Sequence, residues 1–316
     1  MKENRTRSQP WPVLSAAVAL VLAAWGSLAL SQSLSRADTG GALSSAAFAL
    51  PVELPDFLAD TWFLPDDDLL GFVEIGAGSF TMGSDPVVDT LAFATESWGE
   101  GRAQGSVDVP SFLMGRYEVT GAQFAAFVQA TGYRFADERA FASPPHHPVA
   151  WVSWTDALAY TRWLDSTLRE DESTPAALAR RLSDGWRIGL PSEVQWEKAA
   201  RGTDARIYPW GNEPRPDRAN YRSRGTTPVG SFECPACAHG LADMSGNVWE
   251  WTRSPYQPYP YREGDDGDDL DVEALWVMRG GSFGDSEQHV RAANRGGADP
   301  GARRPFIGFR LVLSRF

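Results

Sequence analysis

Two carboxylates, an asparagine, a glycine and two tryptophans fall within the nine residues that begin at Asp243. The segment is Asp-Met-Ser-Gly-Asn-Val-Trp-Glu-Trp, and the Ser-Gly-Asn in its middle disfavours a strand. We expect a tight, oxygen-rich loop that leads into a buried aromatic segment. Such a loop can bind a hard cation, because calcium takes about six to eight oxygens from carboxylates and carbonyls. The alternative is an Asx turn in which Asp243 and Asn247 bond local backbone amides.

The two cysteines of the chain, Cys234 and Cys237, lie shortly before this segment in Phe-Glu-Cys-Pro-Ala-Cys-Ala-His. His239 is one position too late for covalent haem attachment, and four zinc ligands are not close by in the sequence. A thioredoxin-like redox pair would start a helix, whereas Pro-Ala-Cys-Ala-His-Gly is typical of a loop. We favour a short disulfide that stiffens the loop before Asp243.

Two other groups of polar residues resemble metal sites only superficially. His146 and His147 have no cysteine or glutamate at ligand spacing nearby, so we predict no metal site there. The acidic run at 263–273 lacks the regular ligand pattern and the closing glutamate of an EF-hand. It predicts a solvated surface loop.

Composition limits the class of protein to which the chain can belong. A length of 316 residues suggests one large domain or two small ones. The 13 Trp, 30 Gly and 22 Pro indicate a loop-rich globule with an aromatic core. The net charge of −12 argues against nucleic acid as a partner, since a nucleic-acid binder needs a basic face.

The N-terminal segment is typical of a membrane anchor. Residues 1–10 are basic and are expected to be cytoplasmic, and residues 11–31 are apolar and long enough to span a bilayer. A small-residue cleavage site near Ser31 keeps a signal peptide as the alternative; we favour a retained anchor. Residues 32–69 then form a linker and an edge segment. This orientation places the rest of the chain outside the cytoplasm, on the periplasmic side in a bacterium.

The remaining sequence predicts an α+β domain with low regular content. Strands are expected at 72–75, within 76–83 and at 112–119. Three helices are expected to start at the capping residues Thr120, Ser153 and Ser192. After Gly202 the chain shows little periodicity and many turn formers.

Six motifs occur in a fixed order in the second half of the chain. They are Gly-Leu-Pro-Ser-Glu-Val-Gln-Trp-Glu-Lys-Ala-Ala-Arg-Gly (189–202), Tyr-Pro-Trp-Gly-Asn (208–212), Pro-Val-Gly-Ser-Phe (228–232), Gly-Asn-Val-Trp-Glu-Trp (246–251), Arg-Gly-Gly-Ser-Phe (279–283) and Gly-Phe-Arg-Leu (308–311). Together they resemble the formylglycine-generating enzyme family, also called the sulfatase-modifying-factor domain. The resemblance covers residues 70–316 and implies that family's fold, a variant of the C-type lectin fold.

The resemblance also bears on copper. Members that oxidise a sulfatase cysteine bind copper(I) through two cysteines after the Gly-Gly-Ser motif, and soft thiolates suit that ion. In this chain Asp285 stands at the first of these places, and residues 280–291 contain no cysteine. We therefore expect no copper at this position. Iron chemistry, known from other relatives, usually needs an additional His-rich domain, which this chain lacks.

In the family, substrate meets the surface near the Gly-Gly-Ser segment and the Arg-x-x-x-Arg that follows it. The matching residues here are Ser282, Asp285, Arg291 and Arg295. One interpretation is a polar recess in which the arginines bind a carboxylate or a peptide backbone. The other is that these arginines, with Arg279 and Arg310, pair with buried acids such as Glu250 and stabilise the irregular chain. We favour the second.

The resemblance strengthens the calcium hypothesis for the central loop. The family's ligands match Asp243, the carbonyls of Gly246 and Val248, and Glu250, which together supply a complete pattern for structural calcium. A second family site begins at Asn220 and the carbonyl of Tyr221. Its later ligands fall where this chain is shortened, between Arg222 and Pro228, so the second site stays open.

Two classes of function remain. The first is a membrane-anchored, extracytoplasmic module that binds or assembles with a protein or peptide partner without catalysis. The alternative is a modifying or maturation enzyme of the same family that uses chemistry other than the two-cysteine copper site. The missing thiolates and the anchor favour the first.

Overall fold

The computed structural model describes residues 54–99, 101, 103–142, 144–262, 264–266 and 269–315. The expected cytoplasmic segment 1–10, the expected anchor 11–31 and most of the linker lie outside the described residues. Within the described part of the chain, no helix has both the length and the apolar character needed to cross a bilayer.

Twelve strands and four α-helices make up the regular structure of the described residues. The strands are β1 (Phe57–Leu58), β2 (Leu64–Pro65), β3 (Phe72–Ile75), β4 (Gly78–Met82), β5 (Gly105–Val109), β6 (Phe112–Glu118), β7 (Arg187–Gly189), β8 (Trp249–Pro255), β9 (Trp276–Arg279), β10 (Arg295–Ala298), β11 (Ile307–Gly308) and β12 (Arg310–Ser314). The helices are α1 (Gly121–Thr131), α2 (Trp154–Glu170), α3 (Ala176–Ser183) and α4 (Glu193–Arg201). The predicted α+β class is confirmed.

Two four-stranded sheets organise the domain, in the orders β3-β6-β12-β7 and β10-β9-β8-β11. In the first sheet β12 lies between β6 and β7 and is antiparallel to both. In the second, β11 runs parallel to β8. Only the fully buried Phe309 separates β11 from β12, so the Gly-Phe-Arg motif carries the chain directly from one sheet to the other.

Three predicted helix starts are confirmed by complete capping boxes at Thr120, Ser153 and Ser192. In each box the cap hydroxyl accepts from the backbone N–H three residues later, whose side chain bonds back to the cap amide. Gly132 ends α1 with a φ of 65°, in the left-handed region that favours glycine. The strands expected at 72–75, within 76–83 and at 112–119 are β3, β4 and β6.

The main core lies where α1 and α2 pack against the two sheets, and a second cluster surrounds Trp196 of α4. The edge segment before residue 70 belongs to the same body. Leu64 joins the main core, and Phe63 packs on Ala122 and Ala126 of α1. In addition, α4 contacts β8, the strand into which the central segment from Asp243 leads.

Candidate functional site

The central segment folds as the expected tight loop before a buried strand. Asp243, Gly246 and Asn247 have φ angles of 56°, 79° and 58°, so the backbone turns through the left-handed region three times. A Cβ at Gly246 would lie 2.2 Å from the carbonyl oxygen of Asn220, which excludes any other residue there. The chain then enters β8 at Trp249, and Trp251 is fully buried.

Asp243 is buried at the floor of this loop and is only half satisfied. Its Oδ2 accepts a hydrogen bond of 2.7 Å from the backbone N–H of Gly230. Its Oδ1 has no hydrogen-bond partner among the described residues. Burial raises the pKa of the carboxyl to about 6. A buried carboxylate oxygen without a donor is a place where a cation would lower the free energy.

Asn247 connects the loop to three other segments. Its amide Nδ2 donates 2.7 Å to Oε2 of Glu118 at the end of β6, and its Oδ1 accepts from Thr227 N and from Asn220 Nδ2. Glu118 also accepts from the backbone N–H of Val248. The alternative in which Asn247 bonds local backbone amides is therefore wrong, because the partners of its side chain are 20 to 129 residues away in the sequence.

Glu250 lies on β8 and is paired inside the protein. Its two carboxylate oxygens accept from Arg310 at 2.6 Å each, and Oε2 also accepts 2.6 Å from Trp196 Nε1.

Burial and the nearby Asp243 and Glu250 carboxylates raise the pKa of Glu118 well above its ordinary value. Three acids thus surround one arginine, and the buried cluster carries excess negative charge when all are ionised.

The atoms available to a cation at this cluster can be counted. A carboxylate offers about four acceptor positions, and Glu250 uses three of them for Arg310 and Trp196. Asp243 Oδ1 uses none within the described residues. No cluster of three or more His, Cys, Asp or Glu side chains with the geometry of a metal site occurs in the described part of the chain. A cation here would depend on backbone carbonyls as well as on these two carboxylates.

The second calcium position, which the sequence left open, contains internal hydrogen bonds. Asn220 Oδ1 accepts 2.6 Å from Ser223 Oγ, and Asn220 Nδ2 donates to the carbonyl of Gly225. Tyr221 is buried beside it. Both of these partners of the Asn220 amide group come from the shortened segment, and the second site stays open.

Ser282 and Asp285 lie together beside the central loop. Asp285 Oδ2 accepts three hydrogen bonds, from Ser282 N at 2.9 Å, from Ser282 Oγ at 2.7 Å and from Trp249 Nε1 at 2.9 Å. The backbone N–H of Phe283 donates to the carbonyl of Asn247. Asp285 thus fastens the Gly-Gly-Ser turn to the start of β8.

Arg291 and Arg295 do not join Ser282 and Asp285 in one recess. Arg291 pairs with Asp89 and Glu96 at 2.6 and 2.5 Å, and its side chain is 0% exposed.

Arg295 pairs with Glu193 at 2.5 Å, and its guanidinium lies 4.1 Å from the ring centroid of Tyr259. Arg279 pairs with Glu197. These arginines thus bind buried acids, as in the second of the two interpretations given for them above. The reason is physical: irregular backbone leaves carbonyls unpaired, and Arg279 alone donates to the carbonyls of residues 292, 293 and 294.

Residues 65–315 match the sulfatase-modifying factor enzyme 1-like domain. The chain belongs to this family. The formylglycine-generating enzyme of Thermomonospora curvata is 30% identical over 324 residues, covering 78% of this chain and 95% of that enzyme. The inactive C-alpha-formylglycine-generating enzyme 2 of Bos taurus is 28% identical over 320 residues, covering 81% and 92%. PvdO from Pseudomonas aeruginosa, a solved structure, is 27% identical, with a TM-score of 0.58 and coverage of 77% and 94%.

In this sulfatase-modifying-factor domain, Cys234 and Cys237 form a disulfide with a Cα–Cα distance of 5.3 Å. The bridge closes a turn in which Cys237 N donates to the carbonyl of Cys234. Both sulfurs are consumed by this bond.

Sequence reasoning missed Glu118, Ser223 and Trp249 as parts of the site. Trp249 was visible only as an aromatic residue of the central motif, and its Nε1–H bond to Asp285 depends on a turn 36 residues away. Glu118 lies in the strand predicted at 112–119, and no motif in the sequence marks it as part of the site. Its place beside Asp243 and Glu250 follows only from the order of the strands in the two sheets.

Proposed function

We propose that this chain is a non-catalytic binding or assembly module of the sulfatase-modifying-factor family, anchored to a membrane and facing away from the cytoplasm. The observation that carries the proposal is the hydrogen bonding of the Asp285 side chain. It stands where the resemblance places the first copper thiolate, and its Oδ2 accepts three hydrogen bonds from Ser282 and Trp249. The side chain fastens the Gly-Gly-Ser turn, which is a structural task.

The chemistry of the donors supports this reading. Copper(I) is bound by soft thiolate or thioether sulfur, and a carboxylate is a hard ligand. Both cysteines of the chain are joined to each other at 234 and 237, and neither lies in the segment 280–291. The arginines that could have bound a substrate carboxylate are occupied by buried acids.

The name of one relative also supports a function without catalysis. The Bos taurus protein, matched over 92% of its length, is by its name an inactive form of the enzyme. The family scaffold therefore occurs without the activity. A module of this kind would act by binding, and we propose a protein or peptide as its partner.

Calcium completes the proposed module as a structural ion. Asp243 and Glu250 would supply carboxylate oxygens, and Gly246 and Val248 would supply carbonyls. The unpartnered Oδ1 of Asp243 and the excess negative charge around Arg310 support a cation at this place. Calcium would supply charge neutralisation and fix the loop that precedes β8.

The test is a search for formylglycine. The full chain in detergent is incubated with copper(I), oxygen and a cysteine peptide copied from a sulfatase, and the peptide is analysed by mass spectrometry. The Thermomonospora curvata enzyme serves as the active control. We expect aldehyde with the control and none with this chain. Aldehyde produced by this chain would overturn the proposal in favour of the alternative, a modifying enzyme with different chemistry.

The same preparation tests copper directly. Copper(I) is titrated against a competing chelator with the wild type and with a Cys234→Ser, Cys237→Ser variant. We expect the chelator to take the metal from both. Stoichiometric binding that survives in the variant would show a copper site made without cysteine.

A further inference from the structure

A cleft of about 1130 Å³ lies along the strand β5 and is also lined by Ser192, the N-cap of α4. Every residue from Ser106 to Ser111 lines it. Within β5, Ser106 and Asp108 are exposed, whereas Val107 and Val109 are buried on the other face. A cleft that covered one face of a strand would be lined by every second residue. Because consecutive residues line this one, the cleft runs along the edge of the strand, where the main chain is presented.

No strand pairs with that edge in the described structure, although α4 contacts β5 and its Lys198 Nζ donates 3.4 Å to the carbonyl of Val109. β5 pairs with β4 in a two-stranded ladder from Gly78–Val109 to Met82–Gly105, and the described residues place no strand on its other side. In an antiparallel pair, alternate residues direct their N–H and C=O groups away from the partner. An unpaired edge of this kind is a template for another strand.

The cleft has an aromatic side chain at one end and the last residues of the first sheet at the other. At the Gly105 end lies Trp98, because a Cβ on Gly105 would meet its ring at 2.3 Å. Tyr261 lines the cleft too, and its hydroxyl donates 2.7 Å to Asp266. At the other end the pairing of Leu313 with Leu113 brings Ser314 and Arg315 close to Ser111. The edge between these ends spans six residues, or about 20 Å of extended chain.

The far end also contains an unsatisfied polar group. Ser314 is 2% exposed and lines the cleft, and its Oγ has no hydrogen-bond partner in the described part of the chain. Arg315 beside it lies 5.9 Å from the ring centroid of Trp186, which forms the wall. A ligand that continues the strand would bring main-chain donors and acceptors to this end.

We propose that β5 binds an extended peptide from a partner protein by strand addition, with a basic side chain opposite Asp108. This inference rests on the proposed binding function and names the site and class of its partner. An added strand gains main-chain hydrogen bonds along the edge and places alternate side chains against Trp186 and Tyr261.

The negative charge of Asp108 favours a basic residue in the added strand. Asp108 is exposed near the middle of β5, and its hydrogen bond to Ser79 is long at 3.4 Å. Asp266 also lines the cleft, but its two oxygens already accept from Ser254 and Tyr261. The lining also contains two arginines, at 253 and 315, so the preference for a basic side chain rests on the exposed Asp108 and on the net charge of −12 of the whole chain. Opposite charges on directly paired strands attract each other. A cleft of this volume also exceeds the usual pocket for a small molecule, about 300–1,000 Å³.

The test uses the full chain in detergent and a phage-displayed library of random heptapeptides as the probe. Selected peptides are synthesised with a fluorophore, and their affinities are measured by fluorescence polarisation. Each peptide is then remade with one backbone nitrogen methylated at a time. We expect lysine or arginine at one dominant position and losses of about tenfold at alternate methylated positions only, since every second N–H donates to β5.

A charge reversal tests the same site from the protein side. Asp108→Lys is expected to weaken binding about fivefold, and Asp60→Lys, an exposed aspartate outside the cleft, is expected to leave it unchanged. No enriched peptide, or a methylation scan without alternation, would overturn the proposal even if Asp108→Lys failed to fold, because the scan uses wild-type protein. The aldehyde assay tests catalysis independently, so loss of either proposal can be told from loss of the other.

Discussion

The guanidinium of Arg310 donates two hydrogen bonds of 2.6 Å to the carboxylate of Glu250, from Nε to Oε2 and from Nη2 to Oε1. Neither side chain is exposed. Arg310 begins β12 of the first sheet, and Glu250 belongs to β8 of the second. The pair therefore joins the two sheets through a planar, two-point contact.

Removing one member of this pair should destabilise the domain strongly. Arg310→Met leaves the Glu250 carboxylate buried with a single neutral donor, and we expect unfolding free energy to fall by about 3–5 kcal/mol. Adding Glu250→Gln should recover part of that loss, because no buried charge is then unpaired. Urea unfolding of the three proteins measures both effects. A loss below about 1 kcal/mol in Arg310→Met would show that the pair contributes little.

Calcium removal should lower the melting temperature of the wild type. An ion bound only by the folded state adds about 2.7 kcal/mol at a hundredfold excess over its Kd, so a chelator should reduce Tm by about 5–10 °C. Asp243→Ala removes the carboxylate ligand, and the Tm of this variant should not respond to the chelator. Asp60→Ala, on an exposed residue, should respond as the wild type does. Elemental analysis that finds no calcium in the wild type would refute the site.

His147 should make stability depend on pH. Burial lowers its pKa below the ordinary value, with a smaller effect from the adjacent His146. The unfolded chain, with a histidine pKa of about 6.5, then binds the proton more readily than the folded one. Unfolding free energy should therefore decrease as pH falls through about 6.5.

The comparison with His147→Gln isolates this effect, since glutamine can still bond Thr226, which lies 2.9 Å from His147 Nδ1. The difference in stability between wild type and variant should shrink as the solution is acidified from pH 7.5 to 5. A difference that stays constant over this range would mean that His147 does not contribute to the pH dependence.

The anchor prediction concerns residues outside the described structure. If residues 11–31 are retained in the membrane with the basic segment inside, protease added to intact spheroplasts should digest the domain. A cytoplasmic protein followed in the same sample should survive. Protection of the domain would contradict the orientation, and a mature N-terminus at Gln32 would contradict retention.

Local chemistry explains which parts of the fold were predictable. Each of the three predicted helices begins with a capping box between two residues three positions apart, at Thr120, Ser153 and Ser192. A short stretch of sequence is therefore enough to predict where each helix starts. The five strands after Gly202 gave no such signal. β11 has two residues, and the pairing of β8 with β9 shifts register between Trp251 and Pro255, so neither shows a regular alternation.

In the candidate site, too, the parts that are close in sequence were predictable and some of the long-range contacts were not. The central loop was predictable because its glycine and its acids are close in sequence. Glu118 was not, because it reaches the loop only through the sheet order, from a position 129 residues away from Asn247. The sequence favoured arginines paired with buried acids and named Glu250 as one of those acids. The acids that bind Arg291 were not predictable, since they lie 195 and 202 residues earlier in the chain.

The position of β12 has a consequence for how the protein is made. β12 follows every other described strand in the chain, yet it lies between β6 and β7. While a ribosome is still adding residues 310–314, β6 has one open edge and β7 has no neighbour at all. Such unpaired edges in a growing chain are prone to aggregation. In a growing chain the first sheet therefore cannot close until residues 310–314 have been made, and until then the edge of β6 stays open to pairing with another strand.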